Sequence, residues 1–202
     1  MTKLNSPKRQ AILAAATTAF IKHGYSGVSM EAIAEAAPVS KPTLYNHFNS
    51  KQELFAAVIA VRCAALIDTL SRLPAEQSDP LQGLKDILRE FVELVYADEA
   101  MRLYRLIVSE QQNFPEIAEL MYRSGPEQVL QKLCSYLTEL HRLKLLYIPD
   151  VSRSGRLLLG MVKGHEHFRC LLGLQAGLSA VEKCELTNAA FELFVKGHAI
   201  ES

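Results

Sequence analysis

The 202-residue chain has no tryptophan, four cysteines, and equal numbers of basic and acidic residues, 22 of each. Each of these scarcities excludes something. Cys63, Cys134, Cys170 and Cys184 are widely spaced with no Cys-x-x-Cys pair, which argues against a disulfide framework and a cysteine zinc site and is read as thiols of a cytoplasmic protein. No secretory leader precedes them, and no apolar run reaches the ~18 residues of a membrane span. Strand-type runs of Val, Ile and Thr are scarce. A glycine-rich phosphate loop, G-x-S-x-G, a Walker pattern, H-E-x-x-H and a dinucleotide fingerprint are all missing, so no enzyme class and no cofactor is expected. His165-Glu166-His167 does not replace them. Residues two apart on a helix point about 200° from each other, so the two imidazoles cannot share one metal ion.

What is present is Leu- and Ala-rich, 49% apolar and 22% charged, the balance of a soluble globular protein rather than a disordered one. The expected fold is all-α with about nine helices. The zero net charge hides an asymmetry. Residues 1–52 carry six Lys or Arg (Lys3, Lys8, Arg9, Lys22, Lys41, Lys51) against Glu31 and Glu35, a net of +4, and the remainder carries −4. A basic head on an acidic body confines attraction for a polyanion to the head.

The head has the pattern of a helix-turn-helix. Ser6-Pro7 opens a helix with the stripe Ile12, Ala16, Ala19, Phe20, closed at His23-Gly24. Ser29 caps a second helix with Ile33 and Ala34 or Ala37 inward, and Pro38 ends it. Ser40 caps a third, anchored by Leu44 and Phe48 at i and i+4, which leaves Thr43, Asn46 and His47 outside. A fourth helix begins at Ser50 and carries Leu54, Phe55, Val58, Val61 and Leu66 toward Leu73. Pro74–Pro80 is the one clear linker-like loop of the first half. Five further helices are expected at about 81–97, 99–113, 115–143 with a break at Gly125-Pro126 as an option, 150–174 and 179–198. Asp150 and Ser152 are candidate caps, and Ser179 with Glu182 has capping-box spacing.

Three stretches, Phe20-Ile21-Lys22-His23-Gly24-Tyr25, Met30-Glu31-Ala32-Ile33-Ala34 and Val39 through Lys51, carry a resemblance covering roughly the first 60 residues. They resemble the TetR family of one-component transcriptional regulators. Arg102 through Ile107 and Phe114 through Ile117 look similar to the C-terminal domain of AefR-type members. The resemblance implies an N-terminal three-helix DNA-binding domain, 1–52, and a C-terminal helical effector-binding and dimerisation domain, 53–202. It places Ser29, Ser40, Lys41, Pro42, Thr43, Tyr45, Asn46, His47 and Lys51 on DNA, with Tyr45, His47 and Lys51 on phosphates. Asn46 can bond adenine bidentately and Thr43 can meet a thymine methyl. Where the family commonly has glycine this chain has Pro38. Since proline does not ordinarily take φ > 0, the turn is expected to use another geometry.

A helix-turn-helix reaches useful affinity as a dimer on a palindrome. In 150–174, Gly160 and Gly164 fall at i and i+4 beside Leu157, Met161, Phe168 and Leu171, and in the last helix Leu186, Ala190, Phe191, Leu193, Phe194 and Gly197 make an apolar band. These two helices are expected to pair with their copies as a four-helix bundle, against the alternative that both bands fill the monomer core. The effector pocket is expected near Phe91, Tyr104, Met121 and His165. The reading is a homodimeric repressor released from a double-stranded DNA operator by a small molecule. The alternative is a helical protein-interaction module without DNA binding.

Overall fold

The computed structural model describes residues 6–70 and 78–200. The expected loop at 74–80 lies mostly outside the described residues, as do Leu73 and the side chain of Leu66. Every regular element among the described residues is a helix: α1 (Pro7–His23), α2 (Met30–Ala36), α3 (Lys41–His47), α4 (Lys51–Leu70), α5 (Pro80–Tyr96), α6 (Asp98–Glu110), α7 (Pro115–Ser124), α8 (Pro126–Arg142), α9 (Val151–Lys163), α10 (His165–Leu171) and α11 (Ala180–Gly197). The optional break within 115–143 is present, and the helix expected over 150–174 is split as well. Gly125 (φ −141°, ψ −78°) separates α7 from α8, and Gly164 (φ −62°, ψ −125°) separates α9 from α10. Their backbone leaves the helical region at these glycines, which interrupts the helical run. Among the described residues no helix is long and apolar enough to cross a membrane.

Packing divides the chain into two compact units. The first joins the N-terminal residues through Arg62 to Arg102–Gly125, and the second joins Cys63–Met101 to the residues from Pro126 onward. This is not the sequence division at residue 52, because most of α6 and all of α7 pack with the N-terminal helices. In the first unit Ile12, Ala16 and Phe20 of α1, Ile33 and Ala34 of α2, Leu44 of α3 and Leu54, Phe55 and Val58 of α4 share one core with Leu103 and Ile107 of α6 and Ile117 of α7. In the second, Leu84, Leu88, Val92 and Val95 of α5 meet Leu133 and Leu137 of α8, Leu158 and Val162 of α9 and Phe194 of α11. Each fully buried leucine contributes about 1.5 to 3 kcal/mol.

The caps explain where the helices start. Ser6, Ser29, Ser40, Asp79 and Asp150 each accept a backbone N–H from the first turn. Ser50 accepts from Glu53 N at 3.1 Å. Of the two candidates for α9, Asp150 is the cap and Ser152 lies inside the helix. Ser179 and Glu182 form the complete reciprocal box.

His167 is buried against the edge of Tyr96, their ring centroids 5.6 Å apart, and the Tyr96 hydroxyl donates to the Val162 carbonyl at 3.0 Å. Burial, helped by the Lys163 charge, pushes the His167 imidazole down from 6.5 to about 4. Between these values the unfolded chain binds the proton and the folded chain does not. The stabilisation is therefore complete above pH 6.5 and is lost as pH falls toward about 4, by at most about 3 kcal/mol. Urea unfolding at pH 7 and pH 4.5 should show this loss in the wild type and a smaller one in His167→Phe. Equal losses in both proteins would assign the pH dependence to other groups.

Candidate nucleic-acid interface

The candidate interface is built on α2 and α3. Leu44 and Phe48 are buried, and they anchor one side of α3 in the core, so the residues between them cannot also point inward. Lys41, Pro42, Tyr45 and Asn46 are exposed, and Thr43 and His47 are half-buried. Ser29 and Ser40 are exposed at the N-termini of α2 and α3. The sequence-expected residues Ser29 through His47 thus belong to two neighbouring helices that pack on each other. Helix N-termini carry partial positive charge and unsatisfied N–H groups suited to phosphate.

Several side chains already have partners. The Lys41 ammonium pairs with Glu31 of α2 and lies 5.9 Å from the Tyr45 ring centroid. The hydrogen bond from Lys41 holds the Glu31 carboxyl below its usual range, and Lys41 is raised in turn. Both groups are exposed, so water screens the pair and a phosphate can replace the carboxylate. The Thr43 and Ser40 hydroxyls are 2.8 Å apart, which occupies the Thr43 hydroxyl.

Lys51 has a role in the fold that spacing does not reveal. Its ammonium donates to the Val28 carbonyl at 2.8 Å and sits 4.4 Å from the Tyr25 ring centroid. Burial lowers its pKa. Two further contacts also escaped the sequence. Arg9 lies 5.0 Å from the Phe48 ring centroid, and Glu110 of α6 accepts from Ser26 in the α1–α2 turn. Neither has a local signal, because each joins residues far apart in the chain.

The turn at Pro38 differs from expectation. Val39 N–H donates to the Ala34 carbonyl at 3.0 Å, the six-to-one bond of a Schellman motif, and Pro38 stands at the position that takes positive φ, with φ +23°. The motif imposes this dihedral despite the ring preference near −65°. After α8, where Lys144 occupies the same position with φ +55°, both motif bonds form. Proline has no N–H for the second bond. Pro38→Gly should therefore raise stability by about 1 to 2 kcal/mol, the relief of strain exceeding the added freedom of the unfolded chain. Thermal unfolding checks this, and a lower midpoint would mean that Pro38 is not strained.

The residues expected at an effector pocket and at a dimer surface lie outside α2 and α3. Tyr104 and Met121 belong to the first unit, and Phe91 and His165 to the second. Phe91 is buried in the second unit's core and His165 is exposed. Leu157 and Phe168 are exposed, Gly160 has open space where a Cβ would stand, and Gly164, also exposed, falls between helices rather than on one helical face with Gly160. Met161, Leu171 and Phe191 are partly buried on the second core. Ala190 and Phe194, expected at the dimer surface, are instead inside that core, each 3% exposed. The large apolar residues of α11 that are exposed are Val181 and Leu193, with Leu193 65% exposed. Leu193 belongs to the expected band, whereas Val181, and Leu172 and Leu174 exposed after α10, were not among the expected residues.

Comparison with known proteins agrees with this architecture. Residues 12–58 match the family described as bacterial regulatory proteins, tetR family. Residues 82–199 match the AefR-like transcriptional repressor, C-terminal domain. The transcriptional activator FasR of Mycolicibacterium smegmatis is 35% identical over 100 residues, 50% of this chain and 45% of FasR, so the match spans less than half of that curated relative. A TetR-family regulator from Mesorhizobium loti superposes with TM-score 0.79 at 28% identity, covering 96% of this chain and 97% of that one. The flavonoid-responsive regulator FrrA superposes with TM-score 0.74 at 31% identity, covering 96% and 98%. Helix-turn-helix geometry, the exposed α3 surface and the two family matches converge on one conclusion: the chain belongs to the TetR family of DNA-binding transcriptional regulators, with a C-terminal domain of the AefR-like type.

Proposed function

We propose that the protein is a cytoplasmic repressor that binds a palindromic DNA operator as a homodimer and is released by a small molecule. The observation that carries this reading is the α3 surface, where Lys41, Pro42, Tyr45 and Asn46 are exposed on a helix whose opposite side is locked by Leu44 and Phe48. Asn46 and Thr43 read base edges, with Thr43 using its methyl group because its hydroxyl is held by Ser40. Ser29, Ser40, Tyr45, His47 and Lys41 contact phosphates. Lys51 adds positive potential from its place under the α1–α2 turn. An interaction module without DNA binding would have no use for this polar surface.

The dimer surface is assigned to exposed apolar side chains of the second unit, Leu157, Phe168, Leu172, Leu174, Val181 and Leu193. Large apolar side chains left exposed in number on one unit are what a partner surface would cover. Leu193→Glu should convert the dimer to monomer in light scattering and weaken operator binding at least about tenfold, since a charge at such a contact is left desolvated and unpaired. A variant that stayed dimeric and bound normally would remove α11 from the interface.

For the effector, the likeness to FrrA makes a planar aromatic compound the first class to screen. The screen reads release of a labelled duplex. The N-terminal helices form the DNA-binding domain and the C-terminal helices hold the effector and the dimer partner.

A further inference from the structure

We propose that Glu110 is the positioning residue of the DNA-contacting surface: its carboxylate latches the turn between α1 and α2 and so fixes where α2, with the Ser29 cap, begins. This rests on the DNA-binding reading above for its consequence, and on geometry within the first unit for its substance.

The turn runs from Gly24 to Val28. Glu110 Oε1 accepts two hydrogen bonds from one residue of it, from the Ser26 amide at 3.2 Å and from the Ser26 hydroxyl at 2.8 Å. The same oxygen approaches Gly24 so closely that a Cβ there would lie 2.8 Å away, and Gly24 has φ +78°. Glycine therefore both makes the bend and leaves room for the carboxylate. At the end of the turn Lys51 donates to the Val28 carbonyl at 2.8 Å, and the charge of Glu110 favours its protonated form against burial. Ser29 follows immediately and caps α2 by accepting from Ala32 N at 3.1 Å.

Phe114, in the link from α6 to α7, adds an edge-on contact with Tyr25 at 5.5 Å between centroids. The same link is tied to Glu110, since Phe114 N–H donates to the Glu110 carbonyl at 2.8 Å. Ser26 is exposed and Glu110 half-buried, so the latch contributes modestly to global stability. Its bonds are charge-assisted and geometrically specific, which suits a part that holds position. A shift at the end of α6 would reach the helix-turn-helix through Ser26, two residues before Val28 and three before Ser29.

The test uses the full-length protein with Glu110→Ala, Glu110→Gln and Ser26→Ala, read by amide hydrogen exchange without DNA and by affinity for an operator duplex. In Glu110→Ala, exchange at residues 26–33 should speed up about tenfold while residues 55–59 of α4 stay protected. Operator affinity should fall about 5- to 30-fold. Glu110→Gln keeps an oxygen acceptor and should stay within about threefold of wild type in both readouts. Ser26→Ala removes the hydroxyl bond and keeps the amide one, so it should show a smaller change of the same kind, and the double variant should be no worse than Glu110→Ala.

Unchanged exchange at 26–33 in Glu110→Ala would overturn the proposal. So would acceleration spread evenly over α1–α4, because Glu110 would then be an ordinary stabilising contact. Since exchange is read without DNA, a wild-type protein that bound no duplex would overturn the functional reading while the exchange result still decided whether Glu110 holds the turn.

Discussion

Truncating Phe20 to alanine will cost about 3 to 5 kcal/mol of stability, and operator binding will be lost with it at 37 °C. Phe20 is fully buried, stacked on Tyr25 at 5.7 Å and edge-on to Phe55 at 5.3 Å between centroids. Tyr25 in turn meets Phe55 at 5.3 Å. Removing the central ring leaves a cavity whose walls come from α1, α4 and the turn after α1, so it can collapse only by moving these elements, and α1 is the helix on which α2 and α3 pack. Domains of this kind have only about 5 to 15 kcal/mol of net stability, and the loss is a large fraction of it. Urea unfolding followed by circular dichroism reads the change. Tyr25→Phe is the control: the Tyr25 hydroxyl is buried with no hydrogen-bond partner among the described residues, and burial, aided by Glu116, pushes its pKa up to about 12. Deleting that hydroxyl should be neutral or stabilising by up to about 1 kcal/mol. If Phe20→Ala cost no more than Tyr25→Phe, the aromatic cluster would not be the centre of the first unit.

The second large effect is electrostatic. Raising monovalent salt from 50 to 200 mM should weaken operator binding by about 10³ to 10⁵ if the dimer makes 6 to 10 phosphate contacts. The expectation depends on where the charge lies, because the chain as a whole is neutral. Lys41 is the clearest source. Its pair with Glu31 is exposed on both sides, and exchanging a carboxylate for a phosphate there costs little in a screened environment. Lys41→Ala removes one contact from each protomer and should therefore reduce the salt slope of the dimer by about two. A flat salt response in the wild type would exclude phosphate contacts as the main source of affinity.

Much of the first unit could be read from residues in order. Serines before α1, α2, α3 and α4, and the i, i+4 anchors Leu44 and Phe48, are local signals, and local signals fix helix starts and inward faces. The partners of those helices could not be read that way. Glu110 and Ser26 are 84 residues apart, and nothing in either neighbourhood marks the pairing. For the same reason the sequence division at residue 52 separates α6 and α7 from the helices they pack on. Pro38 shows a second limit, since residue preference argued against positive φ while the six-to-one bond from Val39 to Ala34 set it. α11 shows a third. Its apolar residues surround much of the helix, so periodicity could not tell Phe194, which fills the core, from Leu193, which faces outward. The break at Gly164 escaped because the apolar periodicity of 150–174 continues across it.

The outward side chains of α3 are expected to read DNA sequence, two copies at a time. Selecting bound duplexes from a random pool, with wild-type protein and with Asn46→Ala, tests it most directly. The wild type should enrich a palindrome whose half-sites lie about one helical turn, ~34 Å, apart, and Asn46→Ala should change the preferred bases at one position of each half-site while keeping the spacing. No enriched sequence, or the same bases enriched by both proteins, would contradict the account.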